Sequence, residues 1–207
     1  MNRRLFFALN VTNPLAKSFL PSFKKLKISA EKREFNIRWV PLDNFHVTLS
    51  FLGDTPEEHL PLLEEALADV CREFTPFDLK IEDMGAFSNE HDARVIWLGV
   101  QNKKYLGEFK QMLDQTLLER GLLLRPDERN FAPHLTIARL RNPKSVKDLI
   151  SPFKRKSFGK VHVNEIVLYE SKLQGNFPVY NPLLRCQLTG EEKPLLEEAF
   201  PLILEHV

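Results

Sequence analysis

The chain has few cysteines, few glycines and no long apolar run. Two cysteines, Cys71 and Cys186, are too few for a disulfide framework, and neither belongs to the Cys-x-x-Cys pairs of zinc or redox sites. The eight glycines form neither of the glycine-rich patterns that cradle nucleotide phosphates. No segment approaches the roughly 18 apolar residues that span a membrane. We therefore expect a cytoplasmic protein of a reducing compartment that makes no membrane contact.

A surplus of one charge is also lacking, since 29 lysines and arginines stand against 28 aspartates and glutamates. Attraction for a polyanion would therefore have to come from local segments. Residues 139–160 contain eight basic residues and one acid, and residues 24–38 contain six basic residues and two acids. These segments could follow a phosphate backbone, or they could be ordinary solvated surface, and the composition leaves both interpretations open.

The order of the predicted elements indicates an α+β fold, because it matches no regular alternation of strand and helix. Apolar runs predict strands, and helical spacing between capping signals predicts helices. The predicted strands cover residues 3–11, 45–52, 77–86, 93–100, 131–140, 161–168 and 183–188, and the predicted helices cover residues 12–28, 55–74 and 103–120. We expect one domain over residues 1–188 and an acidic helical tail over residues 189–207.

One pattern, histidine-aliphatic-threonine-aliphatic, occurs twice in strand-like segments, at residues 46–49 and at residues 134–137. The six histidines and seven threonines of the chain would give about 0.2 His-x-Thr pairs by chance. Side chains two positions apart in a strand point to the same face. Two such strands side by side would bring four polar side chains to one cavity, namely those of His46, Thr48, His134 and Thr136.

This set of side chains suits the hydrolysis of a phosphodiester by an acid and a base. One imidazole removes a proton from water while the other protonates the departing oxygen, and the threonine hydroxyls donate hydrogen bonds to nonbridging phosphate oxygens. An imidazole with a pKa near ~6.5 supplies both protonation states around neutral pH. Such chemistry requires no metal. The alternative, a hydrogen-bonded polar strip in a sheet, suits a single His-x-Thr better than a matched pair.

With their flanks, the two motifs resemble the two-histidine phosphoesterases, and within them the RNA 2′,3′-cyclic phosphodiesterases first described as 2′-5′ RNA ligases. The resemblance covers residues 3 to about 184, and its most specific segments are residues 4–9, 38–41, 45–53, 94–100 and 131–139. It implies two pseudosymmetric lobes, each an antiparallel sheet with helices on the outside, and a cleft between them. We expect a monomeric enzyme that needs neither a metal nor a cofactor.

The resemblance further implies a role for each site residue. His46 would be the proton donor to the leaving 3′ oxygen, and His134 would be the proton acceptor that activates water, so that a 2′-phosphate remains. Thr48 and Thr136 would bind the phosphate. The substrates would be RNA 3′ ends with a 2′,3′-cyclic phosphate, or small cyclic nucleotides. The near-symmetric motifs alone leave open which histidine is the acid.

Three further residues are candidates for substrate binding. Arg139 resembles a family position that contacts the phosphate, but in a regular strand it faces the side opposite His134. It reaches the cleft only if the strand bulges or ends at about Ala138. Either Phe51 or Phe131 could stack a terminal base, although core packing is the expected role of each.

Two other functions remain open at this point. A nucleotide or RNA-end binding module would keep the pocket without significant turnover, although intact histidines in both motifs favour an enzyme. RNA ligation would use the same site in reverse, and only the cyclic phosphate could drive it because the chain has no ATP-binding motif.

Overall fold

The computed structural model describes residues 1–123, 131–174 and 177–191. Its strands are β1 (Asn2–Asn10), β2 (Ile37–Trp39), β3 (His46–Pro56), β4 (Phe77–Phe87), β5 (Ala93–Val100), β6 (His134–Lys144), β7 (Ser157–Val163), β8 (Glu165–Gln174) and β9 (Phe177–Gln187). Its helices are α1 (Thr12–Lys32), α2 (Leu60–Cys71), α3 (Lys103–Glu119) and α4 (Lys147–Ile150). None of the helices in these ranges is long and apolar enough to cross a membrane. Most of the predicted tail, residues 192–207, lies outside the described residues.

The nine strands of the described ranges form one antiparallel sheet in the order β7-β4-β5-β6-β3-β1-β8-β9, with β2 paired to β6. The sheet divides into two halves, because the central strands β3 and β6 pair at one residue each, Val47 with Leu135. The first half contains β1, β3, β8 and β9, and the second half contains β2, β4, β5, β6 and β7. Each half therefore contributes one His-x-Thr strand to the junction. The predicted α+β class, with antiparallel sheet halves and helices packed against them, is confirmed.

The three long helices pack against one face of the sheet. Val47 and Leu135, both 0% exposed, share the main core with Phe19 of α1, Leu67 of α2 and Leu113 of α3. α1 contacts β7, α3 contacts β3, and α2 contacts both α3 and β9. The other face carries a second, small apolar cluster made of Phe6, Ala8, Val167 and Tyr169. The middle of β1 and the middle of β8 are consequently buried on both faces. The motif side chains lie on the face away from the helices.

Several predicted boundaries are confirmed. β4 and β5 form the predicted hairpin, with Ile81 opposite Val100 at one end and Phe87 opposite Val95 at the other. α3 ends beside Gly121, whose φ of +68° is the left-handed conformation that a glycine adopts without steric cost. α1 contains Pro21 and continues to Lys32, four residues beyond the predicted end.

The second helix begins later than predicted. Thr55 and Pro56 carry a capping pattern, but β3 continues through both because Thr55 pairs with Arg3 of β1. The Thr55 hydroxyl donates to the carbonyl oxygen of Gly53 at 3.3 Å instead of capping a helix. A short 3-10 turn then precedes α2. Strand pairing across the sheet has therefore taken precedence over a local capping signal.

The single strand predicted at residues 161–168 is wrong, because two strands meet there at Asn164. β7 pairs with β4 at one edge of the sheet, while β8 pairs with β1 in the other half. Both pieces have strand-like sequences, and only their partners distinguish them. The chain thus returns from the second half of the sheet to the first at this residue.

A buried carboxylate links α3 to β3 through a hydrogen bond. Asp114, 5% exposed, accepts a hydrogen bond from Ser50 Oγ at 2.7 Å and forms an ion pair with Lys110 one helical turn earlier. Ser50 follows the first motif and points to the helix side of β3. The position of the motif strand relative to the helix layer therefore depends on this contact.

Replacing Asp114 with alanine should destabilise the fold. The substitution leaves the buried Ser50 hydroxyl and the largely buried Lys110 ammonium without their shared partner, which costs about 2–4 kcal/mol. Urea unfolding followed by circular dichroism should show a lower midpoint. Gln115→Ala, one residue further along α3, removes only an exposed contact with Glu119 and should change stability by less than about 0.5 kcal/mol. Equal midpoints for the two variants would contradict this role of Asp114.

Candidate active site

The two His-x-Thr strands lie side by side and run in opposite directions. With Val47 opposite Leu135, the antiparallel register places the histidine of each strand opposite the threonine of the other. The two histidines are diagonal neighbours, and residues so placed in an antiparallel pair are about 7–8 Å apart, with their Cβ atoms somewhat closer. All four polar side chains are half-buried on the face away from the helices. The structure thus brings together the residues singled out in the sequence, His46, Thr48, His134 and Thr136.

Both imidazoles are held by a hydrogen bond to the main chain. His46 Nδ1 lies 2.7 Å from the carbonyl oxygen of Asn44, and His134 Nδ1 lies 2.8 Å from the carbonyl oxygen of Ala132. A carbonyl oxygen only accepts, so Nδ1 carries the hydrogen in each ring. Nε2 remains as the nitrogen that can take up or release a proton in the cleft. The two halves of the site repeat this arrangement, each with a carbonyl two residues before the histidine.

On the first half of the sheet, an aromatic wall surrounds His46. The His46 ring centroid lies 5.1 Å from that of Phe6 and 5.0 Å from that of Tyr180. Phe6 also stacks on Tyr169, with ring centroids 5.4 Å apart. These rings come from β1 and from the β8–β9 hairpin, so elements far apart in sequence form the wall. We use the name aromatic wall for Phe6, Phe51, Tyr169 and Tyr180.

The second half surrounds its histidine less closely. His134 meets the ring of Phe87 edge-on at 4.8 Å, and Phe87 packs against Trp97 at 5.4 Å. Trp97 lies flat over Gly85, where a Cβ atom would come within 2.3 Å of the indole ring. Gly85 is therefore required at this position for the indole to approach the strand. The two imidazoles thus share a tautomer and differ in their surroundings.

The surroundings lower the pKa of both histidines. Burial against the aromatic wall lowers the pKa of His46 to about 4; the hydrogen bond to Asn44 opposes the shift, and the positive charges of His134 and Arg139 add to it. Burial also lowers the pKa of His134, the hydrogen bond to Ala132 opposes this, and Arg139 adds to it. Both imidazoles are consequently neutral at pH 7 in the free protein. A bound phosphate anion would raise both pKa values, because its charge favours imidazolium.

Arg139 reaches the cleft by means of a bulge. β5 pairs with β6 through Ile96 opposite Ala138 and Trp97 opposite Thr136, so Ile137 has no partner of its own. This extra residue shifts the alternation, and Arg139 then lies on the same face as Thr136. A regular strand would have turned the guanidinium away. The electrostatic effect of Arg139 on both histidines agrees with that placement.

The first motif strand has a bulge at the equivalent place. β1 pairs with β3 through Phe7 opposite Ser50 and Ala8 opposite Thr48. Leu49, between these two residues of β3, therefore has no partner in β1. Phe51 therefore lies on the cleft face, 62% exposed and 5.7 Å from the Phe6 ring centroid. The expectation that Phe51 packs in the core is therefore wrong, because the bulge turns its side chain outward. Phe131, in contrast, packs against the main core as expected.

Of the aromatic wall, the sequence indicated only Phe51, and it did not indicate Asn44. Phe6 and Tyr169 belong to apolar runs in which every second residue lies on the cleft face, and the runs themselves do not show which face holds a site. Asn44 accepts the His46 hydrogen bond through its carbonyl, and its side-chain amide donates to the carbonyl oxygen of Pro178 at 3.0 Å. It therefore connects the orientation of His46 to β9, whose Tyr180 packs on the same ring.

Among the described residues, no group of three or more His, Cys, Asp or Glu side chains is arranged to hold a metal ion. The cysteines lie away from the cleft, where Cys71 Sγ contacts the carbonyl oxygen of Cys186 at 3.9 Å. Burial raises the pKa of the Cys71 thiol. The polar side chains that the described residues bring to the cleft carry imidazole, hydroxyl and guanidinium groups.

The family model of the 2′-5′ RNA ligase superfamily matches residues 18–175, which include both motif strands. The chain belongs to this superfamily. An Archaeoglobus fulgidus relative named RNA 2′,3′-cyclic phosphodiesterase is 33% identical over 182 residues, which cover 87% of this chain and 97% of the relative. The family match therefore takes in both motif strands and the strands from β2 to β8.

Solved structures of similar proteins agree with this assignment. TT0787 of Thermus thermophilus superposes with a TM-score of 0.71 at 27% identity, and the match covers 91% of this chain and 99% of that one. The structure of Escherichia coli LigT complexed with 3′-AMP has a TM-score of 0.70 at 26% identity, with the same coverage of both chains. These proteins thus share the fold of this chain over nearly its whole described length.

The lowered pKa of His46 predicts a specific dependence of stability on pH. As pH falls below ~6.5, the unfolded chain binds a proton at this residue while the folded chain binds it only near pH 4. Folding therefore loses stability over this window, by about 2 kcal/mol at pH 5. Urea unfolding at pH 7 and at pH 5 should show a smaller difference for His46→Asn than for the wild type. His91→Asn, in an exposed turn, is the matched control, and an unchanged difference in His46→Asn would contradict the burial of this imidazole.

Proposed function

We propose that this chain hydrolyses the 2′,3′-cyclic phosphate at an RNA 3′ end to a 2′-phosphate, by acid and base catalysis without a metal. The observation that carries the proposal is the crossed arrangement of two His-x-Thr pairs on one face of adjacent strands. The names of similar proteins, RNA 2′,3′-cyclic phosphodiesterase, supply the substrate class. The four motif side chains are half-buried on the face away from the helices, so the end of a polymer could reach them.

In the proposed reaction, two imidazoles move protons on opposite sides of one phosphorus. Nε2 of His134 takes a proton from water as the water oxygen bonds to phosphorus. The bond from phosphorus to the 3′ oxygen breaks, and Nε2 of His46 gives that oxygen a proton. The products are a 3′-hydroxyl and a 2′-phosphate, and the pair of imidazoles has exchanged its protonation states. A proton transfer through solvent restores the starting state.

The hydroxyl and guanidinium groups would stabilise the phosphate during this exchange. Thr48 lies opposite His134, and Thr136 lies opposite His46. Both hydroxyls would donate hydrogen bonds to the nonbridging oxygens, on which negative charge increases in the transition state. Arg139 is close enough to lower the pKa of both imidazoles, so its guanidinium would also be within reach of a phosphate between them. A bidentate contact from Arg139 would orient the phosphate for in-line attack.

The resemblance to the family makes His46 the acid and His134 the base. Both pKa values are lowered in the free protein, and that of His46 falls to about 4. For His46 to be the acid, the bound cyclic phosphate must raise its pKa enough for it to carry the proton. The phosphate anion supplies that effect through its charge, and exclusion of water by the substrate strengthens it.

Alanine at either histidine should reduce turnover while product binding is kept. We expect kcat on a 2′,3′-cyclic phosphate oligonucleotide to fall by ~10² to 10⁴, because proton transfer contributes mainly in the transition state. Affinity for the 2′-phosphate product, measured by calorimetry, should stay near that of the wild type. Thr48→Val and Thr136→Val should instead weaken both rate and affinity, by about 1–3 kcal/mol per lost hydrogen bond to the charged phosphate.

The control for this series is His91→Ala, which removes an exposed imidazole away from the cleft. Full activity in His134→Ala would overturn the mechanism, as would activity that disappears in EDTA and returns with a divalent ion. Product binding without turnover by the wild type would leave a binding module as the function. Formation of 2′-5′ linked product from a cyclic phosphate end and a 5′-hydroxyl RNA would show that the same site also joins RNA.

A substrate with sulfur in place of the 3′ oxygen should distinguish the acid from the base. A thiolate departs without being protonated far more readily than an alkoxide, because a thiol has a pKa near ~8.5. The rate loss of His46→Ala should therefore shrink to less than about tenfold on this substrate. The loss of His134→Ala should be unchanged. The reverse pattern would exchange the two roles and keep the rest of the proposal.

A further inference from the structure

The two bulges make the ends of a pseudosymmetric cleft chemically different. In each motif strand, the bulge turns the fifth residue after the histidine into the cleft. That residue is Phe51 in β3 and Arg139 in β6. One end of the cleft therefore continues into the aromatic wall, and the other end is cationic.

Two more arginines extend the cationic end. Arg38 of β2 is the residue directly opposite Arg139, and opposite residues of paired strands share a face. Beyond Arg139, Leu140 is 8% exposed and packs into the main core, so alternation returns Arg141 to the cleft face, where it is exposed. We call Arg38, Arg139 and Arg141 the arginine cluster.

The arginine cluster extends away from the histidines. Arg139 affects the pKa values of His46, His134 and Tyr180, which places its charge beside the motif side chains. Arg38 and Arg141 are not among the causes of those shifts. The cluster therefore begins at the catalytic pair with Arg139 and continues outward with two more cations.

The two arginines of β6 lack an acidic partner in the part of the chain that the structure describes. Neither Arg139 nor Arg141 forms an ion pair with another described residue, and like charges directly opposite in a sheet, such as Arg38 and Arg139, are destabilising. By contrast, Lys154 and Lys160 of the same basic segment are paired with acidic side chains. The segment thus contains paired surface lysines together with arginines on the cleft face that an anion would stabilise.

We propose that Arg38 and Arg141 form a subsite for the phosphodiester that precedes the terminal nucleotide of a single-stranded RNA. This inference rests on the proposed function, since it adds a second phosphate to the cyclic phosphate bound beside Arg139. The RNA would leave the cleft along β6 toward Arg141, with its terminal base on the side of the aromatic wall. Guanidinium groups bind phosphodiester oxygens by paired hydrogen bonds, which fixes the direction of the chain as well as its affinity.

The test compares two substrates that differ by one nucleotide. A 2′,3′-cyclic mononucleotide without a 5′ phosphate contains only the cyclic phosphate, whereas a dinucleotide with the same end adds one phosphodiester. Arg38→Ala and Arg141→Ala should each lower kcat/KM for the dinucleotide roughly tenfold, mainly through KM, which is the size expected for a charged hydrogen bond. For the mononucleotide, kcat/KM should change by less than about twofold.

Two control variants separate the subsite from general charge effects. Arg72→Ala removes the same charge at the end of α2, where Arg72 pairs only with exposed Asp69 among the described residues, and it should leave both substrates unaffected. Arg38→Lys keeps the charge but loses the paired geometry, so it should recover only part of the dinucleotide rate. The dinucleotide rate should also fall more steeply with salt than the mononucleotide rate, and the two alanine variants should reduce that difference.

The outcomes distinguish the subsite from the proposed function. Equal losses on both substrates, or no loss on the dinucleotide, would overturn the subsite while hydrolysis of the mononucleotide still supports the proposed function. If the wild type hydrolyses neither substrate, the proposed function fails. Binding of the dinucleotide with a 2′-phosphate, measured by calorimetry, then decides the subsite: a roughly tenfold loss in Arg38→Ala and Arg141→Ala supports it, and unchanged affinity overturns it.

Discussion

The pairing of Val47 with Leu135 is the constraint on which the cleft depends. It joins the two halves of the sheet at one position, and the antiparallel direction of the strands then sets each histidine opposite a threonine. The aliphatic residues of both motifs are buried against the helices. A slip of one residue in either motif strand would turn its histidine and its threonine into that core. The register that buries the aliphatic side chains of each motif strand therefore also places its histidine and threonine in the cleft.

The bulges are the second device that both halves share. Each inserts one unpaired residue at the same distance after the histidine, and each turns the fifth residue after it toward the cleft. The two bulges are alike, but the residues that they turn toward the cleft differ. These residues are the exposed Phe51 in the first half and Arg139 in the second half. The symmetry of the backbone thus places the two motifs side by side, while the asymmetry of these two side chains would orient a substrate.

The two imidazoles also have the same hydrogen bond and different surroundings. Both donate Nδ1–H to a carbonyl oxygen two residues earlier, so both present Nε2 to the cleft. His46, however, is enclosed by rings from β1, β8 and β9, and Asn44 ties its loop to β9. His134 has Phe87 as its ring contact. The two imidazoles therefore share the same main-chain hydrogen bond and differ in how closely aromatic rings enclose them.

The sequence by itself determined the two motifs, the α+β class and most strand and helix positions, because these depend on residue type and local spacing. It also showed the condition under which Arg139 reaches the cleft. Only the tertiary structure decided that β3 and β6 are neighbours, that residues 161–168 divide between the two halves, that a bulge exists in each motif strand, and that the aromatic wall surrounds His46. These features depend on which strands pair and on the distances between charges and rings. Such contacts join residues far apart in the chain, and local periodicity carries no information about them.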